Sequence, residues 1–185
     1  MNGTSPPPPG RAAAHPPAKP LYLLVSLAVL ALDQWSKWLV ERHLPLHAAE
    51  PVIPGVFYLT HVRNTGVAFG LFAEHGGGGG RLALVLLGCA ALAVVGTYFW
   101  KTPRESKLLL ASLALVLGGA LGNLLDRIAA GAVTDFLGVF LGSYRWPDFN
   151  VADSAISVGL ALLLLESLLP RRAERPAVAP GEPLS

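Results

Sequence analysis

The chain has 185 residues, enough for one domain, and 52% of them are hydrophobic while only 14% are charged. This composition is more apolar than that of most soluble domains and favours a membrane protein. The formal net charge is +2, and the basic residues are spread over both ends and several connections, which argues against a nucleic-acid-binding surface. The single cysteine, Cys89, lies in an apolar run and excludes an intrachain disulfide.

Residues 1–20 are rich in proline and alanine and predict a disordered tail. Four apolar segments follow, each long enough to cross a bilayer as a helix. These segments are Leu21–Val40, Leu82–Trp100, Leu108–Leu125 and Val151–Leu169. Pro170 ends the last one, and residues 171–185 form a second tail. The sequence therefore predicts an all-α membrane protein with a four-helix domain over residues 21–170.

Lysine and arginine residues are concentrated beside the two tails and in the short connection between the second and third spans. They are Arg11, Lys19, Lys101, Arg104, Lys107, Arg171, Arg172 and Arg175. Because basic residues near span ends favour the cytoplasmic side, we expect both termini, and hence both tails, to be cytoplasmic. The remaining connections are then extracytoplasmic.

The connection between the first and second spans is long and contains two unusual segments. Val52–Phe72 is rich in β-branched and aromatic residues and predicts short strands that rest on the outer leaflet. The five glycines at 76–80 lack the Lys and Ser/Thr of a phosphate-binding loop and predict a flexible joint.

Polar side chains at membrane depth are costly, so we take them as candidates for function. The predicted topology brings them to one extracytoplasmic face, and they are Asp33, Lys37, Asn64, Asn123, Asp126, Arg127, Asp135, Asn150 and Asp153. Asp33 and Lys37 have the i, i+4 spacing of a structural ion pair on a helix. Asp126 and Arg127 are adjacent, point about 100° apart on a helix and should have different partners; Arg127 either steadies a carboxylate or substrate carbonyl, or anchors the helix at the interface.

Asp135 and Asp153 each follow apolar neighbours and have no nearby cation in the sequence. If they meet, burial and mutual repulsion would keep one carboxyl protonated and the other ionised. Such a pair supplies an acid and a base for hydrolysis of a peptide bond. The alternative is that Asp153 only caps the fourth helix while Asp135 faces solvent.

Other chemistries have weaker support. His43 and His47 have the spacing of zinc ligands, but Pro45 lies between them and there is no HExxH pattern, so we expect no metal. Ser36 and Lys37 are neighbours that point in different directions on a helix, which argues against a serine–lysine dyad. Ser143 has no local base, and no motif predicts a cofactor.

Five motifs stand in order along the four spans: DQWSK, NTGVAFG, GGALGNLLDR, GAVTDF and FNVADSAI. Over about Leu21–Leu169 the chain resembles the bacterial lipoprotein signal peptidase family, the type II signal peptidases. The resemblance implies an inner-membrane aspartic endopeptidase that cleaves prolipoproteins just before a diacylglyceryl-modified cysteine. It also implies that the antibiotic globomycin blocks the enzyme.

The resemblance implies catalytic roles for Asp135 and Asp153. Supporting polar residues of the family map onto Asn64, Asn123, Arg127 and Asn150, with Asp33 and Lys37 as structural support at the first span. We expect a monomer that acts on prolipoproteins among membrane lipids. The alternatives are a small four-span transporter, which would need a carboxylate near the bilayer midplane, and a non-catalytic scaffold.

Overall fold

The computed structural model describes residues 19–66 and 79–169. Within these residues the helices are α1 (Lys19–His43), α2 (Gly79–Lys101), α3 (Lys107–Ala130) and α4 (Val151–Leu168). The strands are β1 (Ala49–Ile53), β2 (Phe57–Asn64), β3 (Val133–Leu141) and β4 (Tyr144–Phe149). All four helices are long and apolar enough to cross a membrane, which confirms the four predicted apolar helices.

Helix α3 lies at the centre of the bundle and packs against the other three helices. Glycines make these approaches close. A Cβ on Gly118 would come within 2.7 Å of the Ser26 carbonyl oxygen on α1, and a Cβ on Gly119 within 2.4 Å of the Ala152 carbonyl oxygen on α4. Small residues allow this backbone approach in lipid, where dispersion and hydrogen bonding hold helices together.

The strands form one antiparallel sheet in the order β1-β2-β3-β4. The predicted strands between the first two spans are confirmed by β1 and β2. The prediction of an otherwise helical chain is wrong, because the connection between α3 and α4 forms the hairpin β3–β4. Gly142 in its two-residue turn has a φ of 66°, a conformation that favours glycine.

The helix boundaries differ from the predicted ones at two places. Lys19 and Pro20 belong to the first turn of α1, although the composition of residues 1–20 predicts a tail there. Gly79 and Gly80 begin α2, so the predicted flexible joint is wrong for these two glycines. The rest of the glycine run, the end of the predicted strand segment and both tails at 1–18 and 170–185 lie outside the described residues.

The sheet is attached to the end of α1 by an apolar cluster. Val40 and Leu44 from α1 and the turn after it pack against Phe136 of β3, and all three are buried. Phe136 directly follows Asp135, whose side chain points to the opposite face of the strand. The cluster therefore fixes the strand that carries Asp135 against the helical bundle.

Candidate active site

Asp135 lies on β3 and is 2% exposed, which rules out the alternative that it faces solvent. Its Oδ2 accepts a hydrogen bond from Asn64 Nδ2 at 2.9 Å, and its Oδ1 accepts one from Asn150 Nδ2 at 2.8 Å. Asn64 is held at the end of β2 by a turn in which its own Oδ1 accepts from the Gly66 amide at 2.9 Å. Two amide side chains therefore orient one carboxylate.

Asp153 lies in the first turn of α4 and is half-buried. Its Oδ1 accepts from Asn123 Nδ2 at 2.7 Å, and its Oδ2 accepts from the Asn150 amide nitrogen at 3.3 Å. In return, Asn150 Oδ1 accepts from the Asp153 amide at 2.9 Å, which completes a capping box. Asp153 thus caps α4, as the alternative interpretation expected, and also takes part in a network with Asp135.

Asn150 connects the two aspartates. It is fully buried, and its Nδ2 donates to Asp135 while its backbone and Oδ1 bind Asp153. Because Asn150 is the residue before α4, the same backbone geometry that starts the helix brings the two carboxyls to one place. Asp135 and Asp153 thus share Asn150 as a hydrogen-bond partner, and their action as a pair stays a prediction.

Burial has the largest effect on the Asp135 carboxyl and raises its pKa to about 6. The hydrogen bond from Asn64 opposes this rise in pKa, the negative charge of Asp153 adds to it, and Asn150 and Lys37 oppose it more weakly. A carboxyl that loses its proton near neutral pH is suited to general acid–base chemistry.

A second layer of polar residues lies behind Asp153. Lys37 is buried, and its Nζ lies 2.6 Å from Asp33 Oδ2, 2.7 Å from Asp126 Oδ2 and 3.2 Å from Asn123 Oδ1. The predicted ion pair between Asp33 and Lys37 is confirmed and is shared with a third charged residue. Asn123 accepts from Lys37 through its Oδ1 and donates to Asp153 through its Nδ2, so it links the buried lysine to Asp153.

Asp33 also supports the start of α4. Its Oδ1 accepts a hydrogen bond from the Ala152 amide at 2.9 Å, so a residue on α1 satisfies one of the unpaired amides of another helix. A Cβ on Gly122 would come within 2.5 Å of Asp33 Oδ2, which explains why a glycine faces this carboxylate.

Asp126 and Arg127 have different partners, as predicted. Asp126 binds Lys37 and accepts from Gln34 Nε2 at 2.8 Å, whereas Arg127 Nη1 donates to the Asn123 carbonyl at 3.1 Å on its own helix. Among the described residues, Arg127 makes no ion pair with a carboxylate. Its expected support of a carboxylate is therefore not observed, and its contact with the Asn123 backbone is the one that reaches the site.

Sequence reasoning did not identify three residues of this network, namely Gln34, Glu41 and Thr134. Thr134 Oγ1 donates to Glu41 Oε1 at 2.6 Å, and Gln34 donates to Asp126. The spacing of Glu41 was a signal that could have been used, because it follows Lys37 by four residues and shares its helix face. Within residues 19–66 and 79–169, no three His, Cys, Asp or Glu side chains lie close enough together to hold a metal ion.

The fold and the paired carboxylates define a class: a multi-pass membrane protein with an acidic pair suited to hydrolysis at the end of its helical bundle. A solved bacterial membrane enzyme, determined by the in meso method at 1.9 Å resolution, has a similar fold with a TM-score of 0.73 and 27% identity. The similarity covers 80% of this chain and 93% of that enzyme.

The sequence profile described as signal peptidase (SPase) II matches residues 25–169. A lipoprotein signal peptidase of Geobacter sulfurreducens is 43% identical over 162 residues, which cover 85% of this chain and 99% of the relative. One from Halalkalibacterium halodurans is 38% identical over 154 residues, covering 82% and 94%. The chain belongs to the signal peptidase II family, a family of aspartic peptidases, and the resemblance stated from the motifs is confirmed.

Proposed function

We propose that this membrane peptidase removes the signal peptides of prolipoproteins by cleaving before a diacylglyceryl-modified cysteine, with Asp135 and Asp153 as its catalytic residues. The observation that carries the proposal is the network in which Asn150 binds both aspartates while Asn64 and Asn123 each bind one of them. Membership of the signal peptidase II family supports the substrate class.

In the proposed reaction, one carboxyl of the pair takes a proton from water, which attacks the carbonyl carbon of the scissile bond. The other carboxyl is protonated and donates its proton to the carbonyl oxygen, which gives a tetrahedral gem-diol intermediate. The first carboxyl then gives the proton taken from water to the amide nitrogen, the C–N bond breaks and the amine of the modified cysteine leaves. A proton from the gem-diol returns to the second carboxyl, so both groups regain their starting protonation states. The asparagine donors keep both carboxyls oriented without a cation in direct contact. No metal or cofactor is required by this scheme.

We place the enzyme in the bacterial inner membrane, with both termini cytoplasmic and the aspartates near the extracytoplasmic face. The distribution of lysine and arginine supports this orientation. It leaves the sheet beside the outer leaflet, and exposed apolar residues at the two hairpins support that placement. They are Val52, Ile53, Val56, Leu141, Tyr144 and Trp146. A lipid-modified cysteine already lies at this interface, so lateral diffusion would deliver the scissile bond. We expect globomycin to block the enzyme, and a monomer to suffice for activity.

The test uses purified enzyme in detergent with one prolipoprotein, either diacylglyceryl-modified or unmodified. Asp135→Asn and Asp153→Asn each remove the titrating group at nearly constant size, so we expect turnover of the modified substrate to fall at least about a thousandfold. The matched control is Asp148→Asn, because Asp148 is paired with the exposed side chain of Arg145 at 2.9 Å. D148N should retain turnover.

Wild-type enzyme should cleave the modified substrate and leave the unmodified one intact. Cleavage of both substrates at equal rates would reject the substrate class while leaving the peptidase activity standing. Normal turnover by folded D135N or D153N would reject the catalytic assignment.

A further inference from the structure

Helix α1 carries a stripe of three charged residues, Asp33, Lys37 and Glu41, at intervals of four that place them on one face. Asp33 accepts a hydrogen bond from the first turn of α4, and Lys37 binds Asn123 and Asp126 on α3. Glu41 is the third member and reaches β3. One face of α1 therefore contacts α3, α4 and β3, the elements that carry Asn123, Asp153 and Asp135.

The contact of Glu41 is with the residue before Asp135. Thr134 is 2% exposed, and its hydroxyl donates to Glu41 Oε1 at 2.6 Å. A hydroxyl that donates to a carboxylate makes a short, strong hydrogen bond. Arg63, which lies opposite Thr134 in the β2–β3 pairing, places its Nη2 3.4 Å from the same oxygen. Glu41 thus binds the two strands at one point.

This contact lies where the sheet is irregular. The pairing of β2 with β3 shifts register between Leu59 and Val62, and Val62 is the residue opposite Asp135. A bulge of this kind disrupts the ladder of backbone hydrogen bonds locally. The irregularity lies next to Asp135, opposite Phe136, and the side-chain bond from Thr134 to Glu41 adds a constraint from outside the sheet.

We propose that Glu41 is a positioning residue for Asp135 and acts through Thr134. Its hydrogen bond with Thr134 holds β3 so that the Asp135 carboxylate stays within reach of the Asn64 and Asn150 donors. The inference rests on the proposed catalytic role of Asp135. Thr134 and Asp135 point to opposite faces of β3, so Glu41 acts through the backbone and touches neither Asp135 nor the reacting atoms.

The experiment measures kcat and KM for cleavage of the diacylglyceryl-modified prolipoprotein. Thr134→Val keeps the shape of the side chain and removes its hydroxyl, and we expect kcat to fall about tenfold with KM changed less than about twofold. Thr134→Ser keeps the hydroxyl and should restore kcat to within about twofold of wild type. Glu41→Ala removes the same hydrogen bond together with the exposed contact to Arg63, so it should lower kcat at least as much as T134V. The double variant E41A/T134V should lose no more than E41A alone, because the Thr134 hydroxyl acts only through Glu41.

The controls are Thr97→Val on the exposed face of α2 and Glu105→Ala in the connection between α2 and α3, both of which should leave kcat unchanged. The proposal is overturned by a wild-type kcat in T134V, by multiplied losses in the double variant, or by a loss of kcat that only follows a loss of folded protein in thermal unfolding. Failure of the wild-type enzyme to cleave the substrate would instead reject the proposed function, so the two failures are distinguishable.

Discussion

At the scale of single residues, the main feature of the site is that amides, not cations, contact the aspartates. Asn64 and Asn150 donate to Asp135, and Asn123 donates to Asp153. A lysine or arginine in direct contact would lower a carboxyl pKa well below neutral, where the group could not retain a proton. The buried Lys37 does not contact Asp153 directly; it binds Asn123, which in turn donates to Asp153. This arrangement leaves the pKa of Asp135 near 6.

The pKa of Asp135 leads to a prediction for Asn64→Ala. Because the Asn64 hydrogen bond stabilises the ionised carboxylate, it lowers the pKa of Asp135, and its removal should raise that pKa. We expect kcat/KM to show a limb with a midpoint near pH 6 in the wild type and at higher pH in N64A. Glu50→Ala, exposed on β1, is the control and should keep the wild-type midpoint. An unchanged or lower midpoint in N64A would contradict the assigned influence of Asn64.

The lack of a charged neighbour in the sequence singled out Asp135 and Asp153 as candidates, and their catalytic role stays a prediction. The sequence was sufficient for the Asp33–Lys37 pair, since helix geometry alone brings residues four apart together. It could not show that Asn150 binds both aspartates or that Asp33 caps α4. Those contacts depend on how separate elements pack, which residue spacing does not record.

At the scale of elements, the small residues of α3 determine how closely α4 approaches. Gly119→Ala would place a Cβ against the carbonyl of Ala152, the residue before Asp153. We expect α4 to shift, the free energy of unfolding to fall by about 1–3 kcal/mol, and turnover to fall because Asp153 moves away from Asn123. Thermal unfolding in detergent and the cleavage assay measure the two effects.

Gly96→Ala is the matched control for this substitution. Gly96 lies on α2, where a Cβ would meet nothing within 4 Å. Alanine is a better helix former than glycine, so G96A should stabilise the protein by about 0.5–1 kcal/mol and keep full turnover. Equal effects of the two substitutions would show that the close approach of α3 and α4 does not matter for the site.

The helices could be predicted from the sequence far better than the sheet. A span needs about 20 apolar residues in a row, which is a local property. The hairpin β3–β4 depends on pairing with β2, more than 60 residues earlier in the chain. The Gly142–Ser143 pair between two strand-like runs is typical of a two-residue hairpin and could have identified it.

At the scale of the whole molecule, the two aspartates lie on different elements of the fold. Asp135 belongs to the sheet and Asp153 to α4, and α1 and α3 carry the residues that hold the junction. This division means that the site exists only when the sheet and bundle are assembled. We therefore expect two carboxyls from separate parts of the fold to act as one catalytic unit.

The most direct test compares cleavage of the diacylglyceryl-modified prolipoprotein by D135N, D153N and the double variant D135N/D153N. Residues that act as a unit show non-additive losses. We predict that all three variants fall to the same background rate while remaining folded. A double variant much slower than either single one would contradict a shared catalytic unit, because it would mean that each aspartate contributes to the reaction on its own.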